Sequence, residues 1–385
     1  MKKMLEGSRA IALAVKMSRP GVVSAYPITP QTHIVEDLAK FKADGDGSYQ
    51  YIITESEFAA ASVVLGASLG GTRVYTATSS QGLLLMAEVL FNIAGLRRPV
   101  VLTCANRAVG APINIWNDQQ DSLTVRDSGW IMLYAEDNQE AIDLHLQAFK
   151  IAEKLHLPVM INVDGFVLTH TYENIDLPSQ KEVDGFLPKF KLIKDYYLDP
   201  KNPRSFGYFS TPGTYMEERQ ELFDDLRASQ KEISLTAAEF GKKFKRPQGD
   251  GLVEYIGTGK EEVVLVAMGS VVGTMRVVRS PESGVRRKAE KFGILKIKSF
   301  RPFPDEEVAK CLKNAKYIAV VDKAVSLGAE GILAGEVRRA VFGRTKGKVQ
   351  SFVCGLGGKD ITTKVVENIV KEAQGKTSGV RFIYP

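Results

Sequence analysis

The sequence predicts an α/β protein with two doubly wound domains. Over residues 21–164, short apolar runs rich in β-branched residues alternate with longer helix-like stretches. A second, shorter series of the same kind begins near residue 251. Nearly continuous apolar strands separated by helices are typical of βαβ units, whose strands form a mostly parallel sheet covered on both faces. We therefore expect one domain over residues 1–245 and a smaller one over residues 250–385.

The pattern also predicts where the individual elements lie. The strands expected in the first domain are residues 22–26, 49–54, 73–78, 100–105, 130–135 and 158–163. Those expected in the second are residues 262–268, 294–298, 317–321 and 349–353. Between the two sets, a proline-rich segment indicates a connecting arm, and the heavily charged residues 214–245 predict an exposed, solvated helix. Ligands of such a sheet bind at the carboxyl ends of its strands.

Composition excludes several classes of protein. The 385 residues are 44% hydrophobic and 25% charged, which is ordinary for a soluble globular chain. The net charge of +6 comes from scattered basic residues rather than a basic stripe, so we expect no nucleic-acid partner. No apolar run reaches the roughly 18 residues that a membrane span needs, and no signal segment opens the chain. We therefore expect a cytoplasmic protein without a membrane span.

Metal-binding and nucleotide-binding motifs are missing. Cys104, Cys311 and Cys354 lie far apart and include no C-x-x-C pair, so we expect no iron–sulfur or zinc site built by cysteines of this chain alone. Two G-D-G sequences, at residues 45–47 and 249–251, superficially match the start of the metal-diphosphate motif of thiamine enzymes. Both lie in polar segments and lack the downstream Asn that completes the Mg²⁺ shell. We interpret both as surface turns.

Three predicted strand ends carry residues suited to chemistry. Thr29 lies in a Tyr-Pro-Ile-Thr-Pro sequence, where two prolines fix the backbone after the first strand. Thr54 and Glu57 follow the second strand and fit a capping box at the start of a helix. Arg107 follows the fourth strand and begins a long loop, residues 108–126, and its guanidinium suits recognition of a carboxylate. Each also has a purely structural interpretation: Thr29 belongs to a rigid loop, Thr54 and Glu57 cap a helix, and Arg107 forms a surface ion pair.

The turn after the third strand reads Thr-Ser-Ser-Gln-Gly over residues 78–82. It lacks the first Gly of the G-x-S-x-G nucleophile elbow of hydrolases, and the chain has only four histidines to act as a base. A helix cap followed by a turn explains this sequence. Backbone N–H groups at the start of a helix can also face a cofactor, so both interpretations stay open.

Several segments, in this order, resemble the α subunits of archaeal- and anaerobe-type pyruvate:ferredoxin oxidoreductases, within the 2-oxoacid:ferredoxin oxidoreductase family. The matching segments are residues 26–30, 55–57, 59–61, 76–83, 106–108, 112–121, 126–130, 299–304 and 355–360. They extend over almost the whole chain. The resemblance implies that the first domain is the pyrimidine-binding half of a thiamine diphosphate site, and that the second is similar to the C-terminal domain of transketolase.

The resemblance also implies roles for individual residues. Glu57 matches the glutamate that hydrogen-bonds the aminopyrimidine ring and favours its imino tautomer. Thr29 matches a residue near the 2-oxo group of the substrate, and Arg107 matches the arginine that takes the substrate carboxylate. The further residues expected to contact the cofactor are Pro27, Ser80 and Gln81.

The reaction implied is the reversible oxidative decarboxylation of pyruvate with coenzyme A, which gives acetyl-CoA, CO₂ and electrons for ferredoxin. In that family Mg²⁺ and the [4Fe–4S] clusters lie on partner subunits, so β, γ and δ subunits are the expected partners. Two alternatives stay open. One is an α subunit for a branched-chain or another 2-oxoacid, and the other is a non-catalytic α/β scaffold subunit, which needs neither Glu57 nor Arg107.

Overall fold

The computed structural model describes residues 2–193, 195–280, 292–375 and 379–385. The strands are β1 (Lys2–Glu6), β2 (Val22–Ala25), β3 (Gln50–Ile53), β4 (Val74–Thr78), β5 (Val100–Asn106), β6 (Ile131–Tyr134), β7 (Val159–Asp164), β8 (Tyr172–Asp176), β9 (Val253–Ile256), β10 (Val263–Ala267), β11 (Phe292–Ile297), β12 (Ser299–Arg301), β13 (Tyr317–Asp322), β14 (Lys348–Val353) and β15 (Val380–Phe382). The helices are α1 (Gly7–Met17), α2 (Thr32–Ala43), α3 (Glu57–Leu69), α4 (Ser80–Leu85), α5 (Ala87–Gly95), α6 (Gln120–Thr124), α7 (Asn138–Leu155), α8 (Gln180–Phe186), α9 (Tyr215–Phe244), α10 (Val271–Arg279), α11 (Asp305–Leu312), α12 (Ile332–Val341) and α13 (Thr363–Ala373).

Seven strands form the first sheet, in the order β12-β6-β7-β5-β4-β2-β3. The strands β2 to β7 are all parallel where they pair, as the alternating sequence predicts. Helices α1, α2 and α7 pack together as one layer, and α3, α4 and α5 pack together as another. The crossover helices between parallel strands therefore cover the apolar sheet on both faces. This confirms the predicted doubly wound fold.

The second sheet has the order β15-β14-β13-β10-β11-β9. Its strands are parallel except for β9, which runs antiparallel to β11. The central strand β10 is buried along its whole length. A strand buried on both faces requires the unbroken apolar run that the sequence shows here, so the second α/β domain is confirmed as well.

The two sheets are joined by a strand that the sequence did not reveal. β12 follows β11 of the second sheet directly, yet it pairs antiparallel with β6 of the first sheet. Buried ion pairs lie beside this connection, where Lys296 Nζ is 2.8 Å from carboxylate oxygens of both Glu136 and Glu140. Burial opposes the positive charge of Lys296, but the two carboxylates outweigh it and raise its pKa. The second domain thus completes the sheet of the first.

Helix α9 differs from the prediction of a solvated helix. It buries an apolar stripe that includes Leu222, Ile233 and Phe240, and it packs on α7 and α8. The Phe240 ring lies edge-on to Phe186 of α8, with centroids 5.3 Å apart. Complete burial of side chains of this size stabilises a fold by about 1.5–3 kcal/mol each. Among the described helices, none combines the length and the apolar character needed to cross a bilayer.

Two other predictions need correction or extension. The loop expected over residues 108–126 is not wholly irregular, because it contains the short helix α6. The N-terminal strand β1, which was not predicted, pairs antiparallel with β8 in a separate two-stranded sheet. Both G-D-G segments are turns, as predicted: Asp46 pairs with Lys16, and Asp250 accepts the backbone N–H of Val253.

Candidate active site

Four neighbouring parallel strands place the candidate residues at one edge of the first sheet. The strands β5, β4, β2 and β3 lie side by side. Thr29 follows β2, Glu57 follows β3, Ser80 follows β4 and Arg107 follows β5. Because the carboxyl ends of parallel strands meet at the same edge, residues that are far apart in the sequence are brought to one region.

Glu57 is the first residue of α3, and only 6% of its surface is exposed. The capping box expected from Thr54 and Glu57 is wrong, because Ser56 caps the helix by accepting the N–H of Ala59 at 3.2 Å. The Thr54 hydroxyl donates instead to the carbonyl of Ser56 at 2.9 Å. The cap therefore leaves the Glu57 carboxylate available to a ligand.

Thr78 and Gly82 surround the Glu57 carboxylate. A Cβ atom on Gly82 would lie 2.5 Å from Oε1 of Glu57 and 2.5 Å from Oγ1 of Thr78, so no larger residue fits there without displacing them. The Thr78 hydroxyl is buried and has no hydrogen-bond partner among the described residues. A buried polar group without a partner costs roughly 1–3 kcal/mol. The Glu57 carboxylate and the Thr78 hydroxyl are thus two buried polar groups that a polar ligand could pair with.

The turn after β4 has an unusual backbone conformation that a neighbouring loop supports. Ser80 has a φ of 50°, and its N–H donates to the Asp121 carboxylate at 2.9 Å. Its buried hydroxyl donates to the carbonyl of Ala108. Gln81 is exposed at the same turn, where its side-chain nitrogen lies against Gly110. Of these two candidate cofactor contacts, Gln81 is the accessible side chain.

Arg107 is 7% exposed, and two backbone carbonyls fix its guanidinium. Nε donates to the carbonyl of Asn114 at 3.0 Å, and Nη1 donates to that of Thr29 at 2.8 Å. No described carboxylate forms an ion pair with it, because Asp121 accepts its backbone N–H instead. The surface ion pair that was the structural interpretation of Arg107 is therefore wrong. Burial lowers the pKa of Arg107, and the charge of Asp121 opposes this shift.

The loop after β2 leaves Pro27 and the side chain of Thr29 exposed. The fully buried Gln31 fixes this loop, because its side chain accepts the N–H of Ile28 at 3.2 Å and donates to the carbonyl of Ala77 in β4 at 2.8 Å. Gln31 was not identified from the sequence. A glutamine next to a proline carries no local signal that it is buried.

Asp121 connects the two sides of the site and was also not identified from the sequence. It is fully buried and accepts the backbone N–H groups of Ser80 and Arg107, each at 2.9 Å. It also accepts hydrogen bonds from Asn106 and Ser122, each at 2.8 Å. Burial raises the pKa of Asp121, and these hydrogen bonds oppose the shift. Because the same oxygen binds Ser80 and Arg107, this carboxylate fixes their relative position.

The second domain supports the loop that holds Arg107. Asn114 donates to the carbonyl of Gly357 at 3.1 Å, and Asp118 accepts the N–H of Gly357 at 3.1 Å. Gly358 has a φ of 82°, and a Cβ atom there would lie 2.3 Å from Cβ of Trp116. Burial raises the pKa of Asp118 to about 6 against the opposing hydrogen bonds. The glycine-rich segment at residues 355–360 is therefore a contact between the domains.

Asp164, at the end of β7, forms a second contact between the domains. It accepts hydrogen bonds from Asn117 and Gln119 at 3.2 and 3.1 Å on its own side. From the second domain, Lys323 Nζ lies 3.0 Å away and the N–H of Ser270 lies 2.8 Å away. Burial opposes ionisation of Asp164, but Lys323 and Ser270 outweigh it and lower its pKa. This buried contact fixes the far end of the Arg107 loop.

Comparison with known proteins identifies the family. The family model described as pyruvate flavodoxin/ferredoxin oxidoreductase, thiamine diP-binding, matches residues 14–237. The chain belongs to this family. The model described as pyruvate:ferredoxin oxidoreductase core domain II matches residues 261–366 of the same family member. These matches confirm the family predicted from the sequence.

Full-length relatives of this family member are subunits of two related enzymes. Pyruvate synthase subunit PorA of Methanosarcina barkeri is 46% identical over 97% of this chain and 93% of its own length. PorA of Methanothermobacter thermautotrophicus is 45% identical over 99% and 97%. Ketoisovalerate oxidoreductase subunit VorA of Pyrococcus abyssi is 41% identical over 97% and 93%. The chain is thus similar over its whole length to subunits of oxidoreductases that act on 2-oxoacids.

A solved structure shares the fold. The 2-oxoglutarate:ferredoxin oxidoreductase from Magnetococcus marinus, with 2-oxoglutarate, coenzyme A and succinyl-CoA bound, has a TM-score of 0.73 and is 21% identical. The match covers 97% of this chain and 65% of that chain. This likeness supports the arrangement of the two α/β domains.

Proposed function

We propose that this chain is the α subunit of a pyruvate:ferredoxin oxidoreductase and supplies the pyrimidine side of a thiamine diphosphate site that partner subunits complete. The observation that carries the proposal is the buried Glu57 carboxylate, which faces the unpartnered Thr78 hydroxyl at the sheet edge that also holds Arg107. The similarity to PorA subunits over the whole chain favours pyruvate as the substrate.

Thr78 and Glu57 suit the aminopyrimidine end of thiamine diphosphate, because a polar ring can bind a carboxylate and a hydroxyl at its edge, and the absence of a side chain at Gly82 leaves room for both of these groups. When bound, this cofactor supplies a carbon nucleophile for the 2-oxo group and an acceptor for the electrons left by loss of CO₂. Glu57 holds a proton shared with a ring nitrogen and so sets the tautomer of the ring. The proposed contacts of Pro27 and Gln81 come from the exposed loops beside it.

Arg107 is proposed to bind the carboxylate of the substrate. A guanidinium has five N–H groups, and backbone carbonyls occupy only one on Nε and one on Nη1. The remaining N–H groups on Nη1 and Nη2 can bind two carboxylate oxygens in parallel, which is the strongest geometry for such a pair. The Thr29 side chain is exposed in the loop that Arg107 holds, and it donates to the 2-oxo oxygen in this proposal.

An exposed apolar surface on elements beside the site supports a partner interface there. It includes Ile53 of the edge strand β3 (70% exposed), Phe58 of α3 (40%), Leu85 (51%) and Phe91 of α5 (43%). Clustered exposed apolar side chains beside an edge strand are typical of protein–protein interfaces. We therefore propose that the β subunit covers this surface and closes the site.

The remaining cofactors are proposed to lie on the β, γ and δ subunits. Cys104 in β5, Cys311 in α11 and Cys354 after β14 are free and belong to separate elements, so they do not form a cluster site together. In this proposal Mg²⁺, the [4Fe–4S] clusters, coenzyme A and ferredoxin are bound by partner subunits. Free cysteines are also usual in the cytoplasm, which is the proposed location.

The test is turnover by the complex assembled from this chain and its partner subunits. Reduction of ferredoxin or viologen is measured with thiamine diphosphate, Mg²⁺, coenzyme A and a panel of 2-oxoacids. We expect the highest kcat/KM with pyruvate and none when this chain is omitted. A preference for 2-oxoisovalerate would assign the chain to the branched-chain type, and absence of turnover with every 2-oxoacid would contradict a catalytic subunit.

A further inference from the structure

Two histidines and a glutamate from three separate segments meet at the rim of the first domain. Glu6 ends β1, His33 lies in the first turn of α2, and His170 lies between β7 and β8. Their potential ligand atoms all lie within 4.8 Å of one another. His33 Nδ1 is 2.7 Å from Oε1 of Glu6, and the rings of His33 and His170 have centroids 4.6 Å apart.

An ion pair does not account for all three residues. The contact of His33 with Glu6 already provides the partner that this carboxylate needs. A second imidazole against the first adds repulsion when both are charged. Two neutral imidazoles and one carboxylate around a common point are instead the ligands that a divalent transition-metal ion attracts.

The surroundings of His170 prepare it for this role. The Thr169 hydroxyl oxygen accepts the backbone N–H of Phe166 at 2.8 Å and lies 2.7 Å from Nδ1 of His170. In the tautomer with the proton on Nδ1, His170 donates to a second lone pair of this oxygen, and the lone pair of Nε2 is then free for a metal ion. Ligating histidines in metalloproteins characteristically donate their other ring N–H to a neighbouring oxygen in this way.

We propose that Glu6, His33 and His170 bind one divalent transition-metal ion of the zinc type, with water completing its coordination. The donor set favours such an ion over Mg²⁺, which prefers oxygen ligands alone. The side chains of Glu6 and His33 are 19% and 47% exposed, so an ion can enter from solvent. This inference is independent of the proposed function, because it uses none of the residues assigned to cofactor or substrate.

The proposed ion has a structural role. It ties β1 to α2 and to the segment that leads into β8, three parts of the chain that are distant in sequence. His170 also stacks on Phe166, and Phe166 stacks on Trp116, with centroid separations of 4.7 and 4.6 Å. Trp116 belongs to the loop that holds Arg107. The ion therefore stabilises the N-terminal strand and the support of that loop, without contacting substrate.

The test measures metal content directly. Untagged full-length chain is treated with EDTA, equilibrated with Zn²⁺, passed through a desalting column and analysed for zinc by mass spectrometry. We expect one zinc ion per chain, a higher Tm with Zn²⁺ than with EDTA, and loss of at least nine-tenths of the zinc in His33→Asn and in His170→Asn. The matched control is His156→Asn, in a half-buried histidine outside the cluster, which retains the ion.

A second measurement locates the ion. Co²⁺ bound at this cluster lies near Trp116, whereas Trp130, the other tryptophan, is fully buried against Leu90. We expect Co²⁺ to quench tryptophan fluorescence, and Trp116→Phe to remove most of that quenching while binding persists. Glu6→Gln, which preserves shape, is expected to weaken Co²⁺ binding at least tenfold. Absence of stoichiometric metal in the wild type, or equal metal in the folded histidine variants, would overturn the proposal.

Discussion

At the scale of single residues, Arg107 is distinguished by the contacts that hold its guanidinium. Its guanidinium is positioned by two backbone carbonyls, and no described carboxylate forms an ion pair with it, although the charge of Asp121 lies close enough to act on it. A charged group held in this way is suited to an anionic ligand, because the ligand supplies the missing negative charge. Sequence reasoning identified the residue but not these contacts, because the carbonyls of Thr29 and Asn114 reach it only through the fold.

Substitution of Arg107 is predicted to impair pyruvate far more than a substrate without a carboxylate. A charge-assisted pair contributes about 1.5–3 kcal/mol, so Arg107→Ala should lower kcat/KM for pyruvate roughly a hundredfold. Arg107→Lys should recover only part of this loss, because lysine cannot replace the planar fork. Kinetics with pyruvate and with a small aldehyde that forms a thiamine adduct separate the roles. Equal losses with both compounds would show that Arg107 acts only as a support.

Asp121 yields a second prediction at this scale. Both carboxylate oxygens of Asp121 accept hydrogen bonds from N–H groups. In Asp121→Asn, the amide nitrogen would therefore face N–H groups in either orientation of the side chain. The variant should lose about 2 kcal/mol or more of stability and raise the KM for pyruvate and for thiamine diphosphate together, because Ser80 and Arg107 share one oxygen. The matched control is Asp127→Asn, at an exposed residue nearby, which should leave both constants unchanged. Unchanged constants in Asp121→Asn would exclude this positioning role.

At the scale of elements, the sequence predicts those strands and helices whose signal is local. Strands β2 to β7 were predicted because each carries a short β-rich run, which is a local property, although β3 itself is largely exposed. The strands β1, β8, β9, β12 and β15 were not predicted, because none of them carries an unbroken apolar run of its own. The same limit applies to helix α3, where the choice of Ser56 over Thr54 as the cap depends on how β3 ends.

The start of helix α12 is predicted to make stability depend on pH. Burial raises the pKa of Asp322 to about 7, although the N–H groups of Leu333 and Ala334 oppose this shift and the charge of Glu330 adds to it. A carboxyl group whose pKa is higher in the folded than in the unfolded state stabilises the fold at low pH. That contribution is lost as the pH rises through the folded-state pKa.

Urea unfolding of the full chain between pH 5 and pH 8 tests this dependence. The contribution of Asp322 should fall by about 2–3 kcal/mol over this range, because each pH unit between pH 5 and the folded-state pKa changes it by about 1.4 kcal/mol. Asp322→Asn removes the titrating group, so its free energy of unfolding should fall less steeply with pH than that of the wild type. Parallel pH profiles for the two proteins would refute the assignment.

At the scale of the whole molecule, the sequence predicted two α/β domains but not how they are joined. The alternation of strands and helices is repeated in each domain and is therefore visible locally. The joint is made by β12, by the buried charges of Lys296 and Asp164, and by Gly358 against Trp116. None of these contacts has a sequence motif, because each forms only where surfaces of the two domains meet. The joint bears on the proposed function, since it holds the loop that positions Arg107.

The candidate site was predictable to the same degree. The residues predicted at strand ends lie at one edge of the first sheet, because parallel strands bring their carboxyl ends together. Thr78 and Gly82 were not assigned a role, although both lie in a segment that the resemblance covers. Their significance depends on the fold, because Glu57 follows β3 but its carboxylate lies beside Thr78 at the end of β4 and Gly82 in α4.

Pyruvate turnover by the assembled complex tests whether Glu57 of this chain serves a thiamine diphosphate site shared with partner subunits. Glu57→Gln keeps the shape of the side chain but removes the carboxylate, so turnover should fall at least a hundredfold, the lower range for loss of acid–base catalysis. Glu55→Gln is the matched control, because Glu55 lies two residues away and is exposed. Gel filtration should show that both complexes assemble. Near wild-type turnover in Glu57→Gln, or loss of turnover in Glu55→Gln alone, would contradict the account.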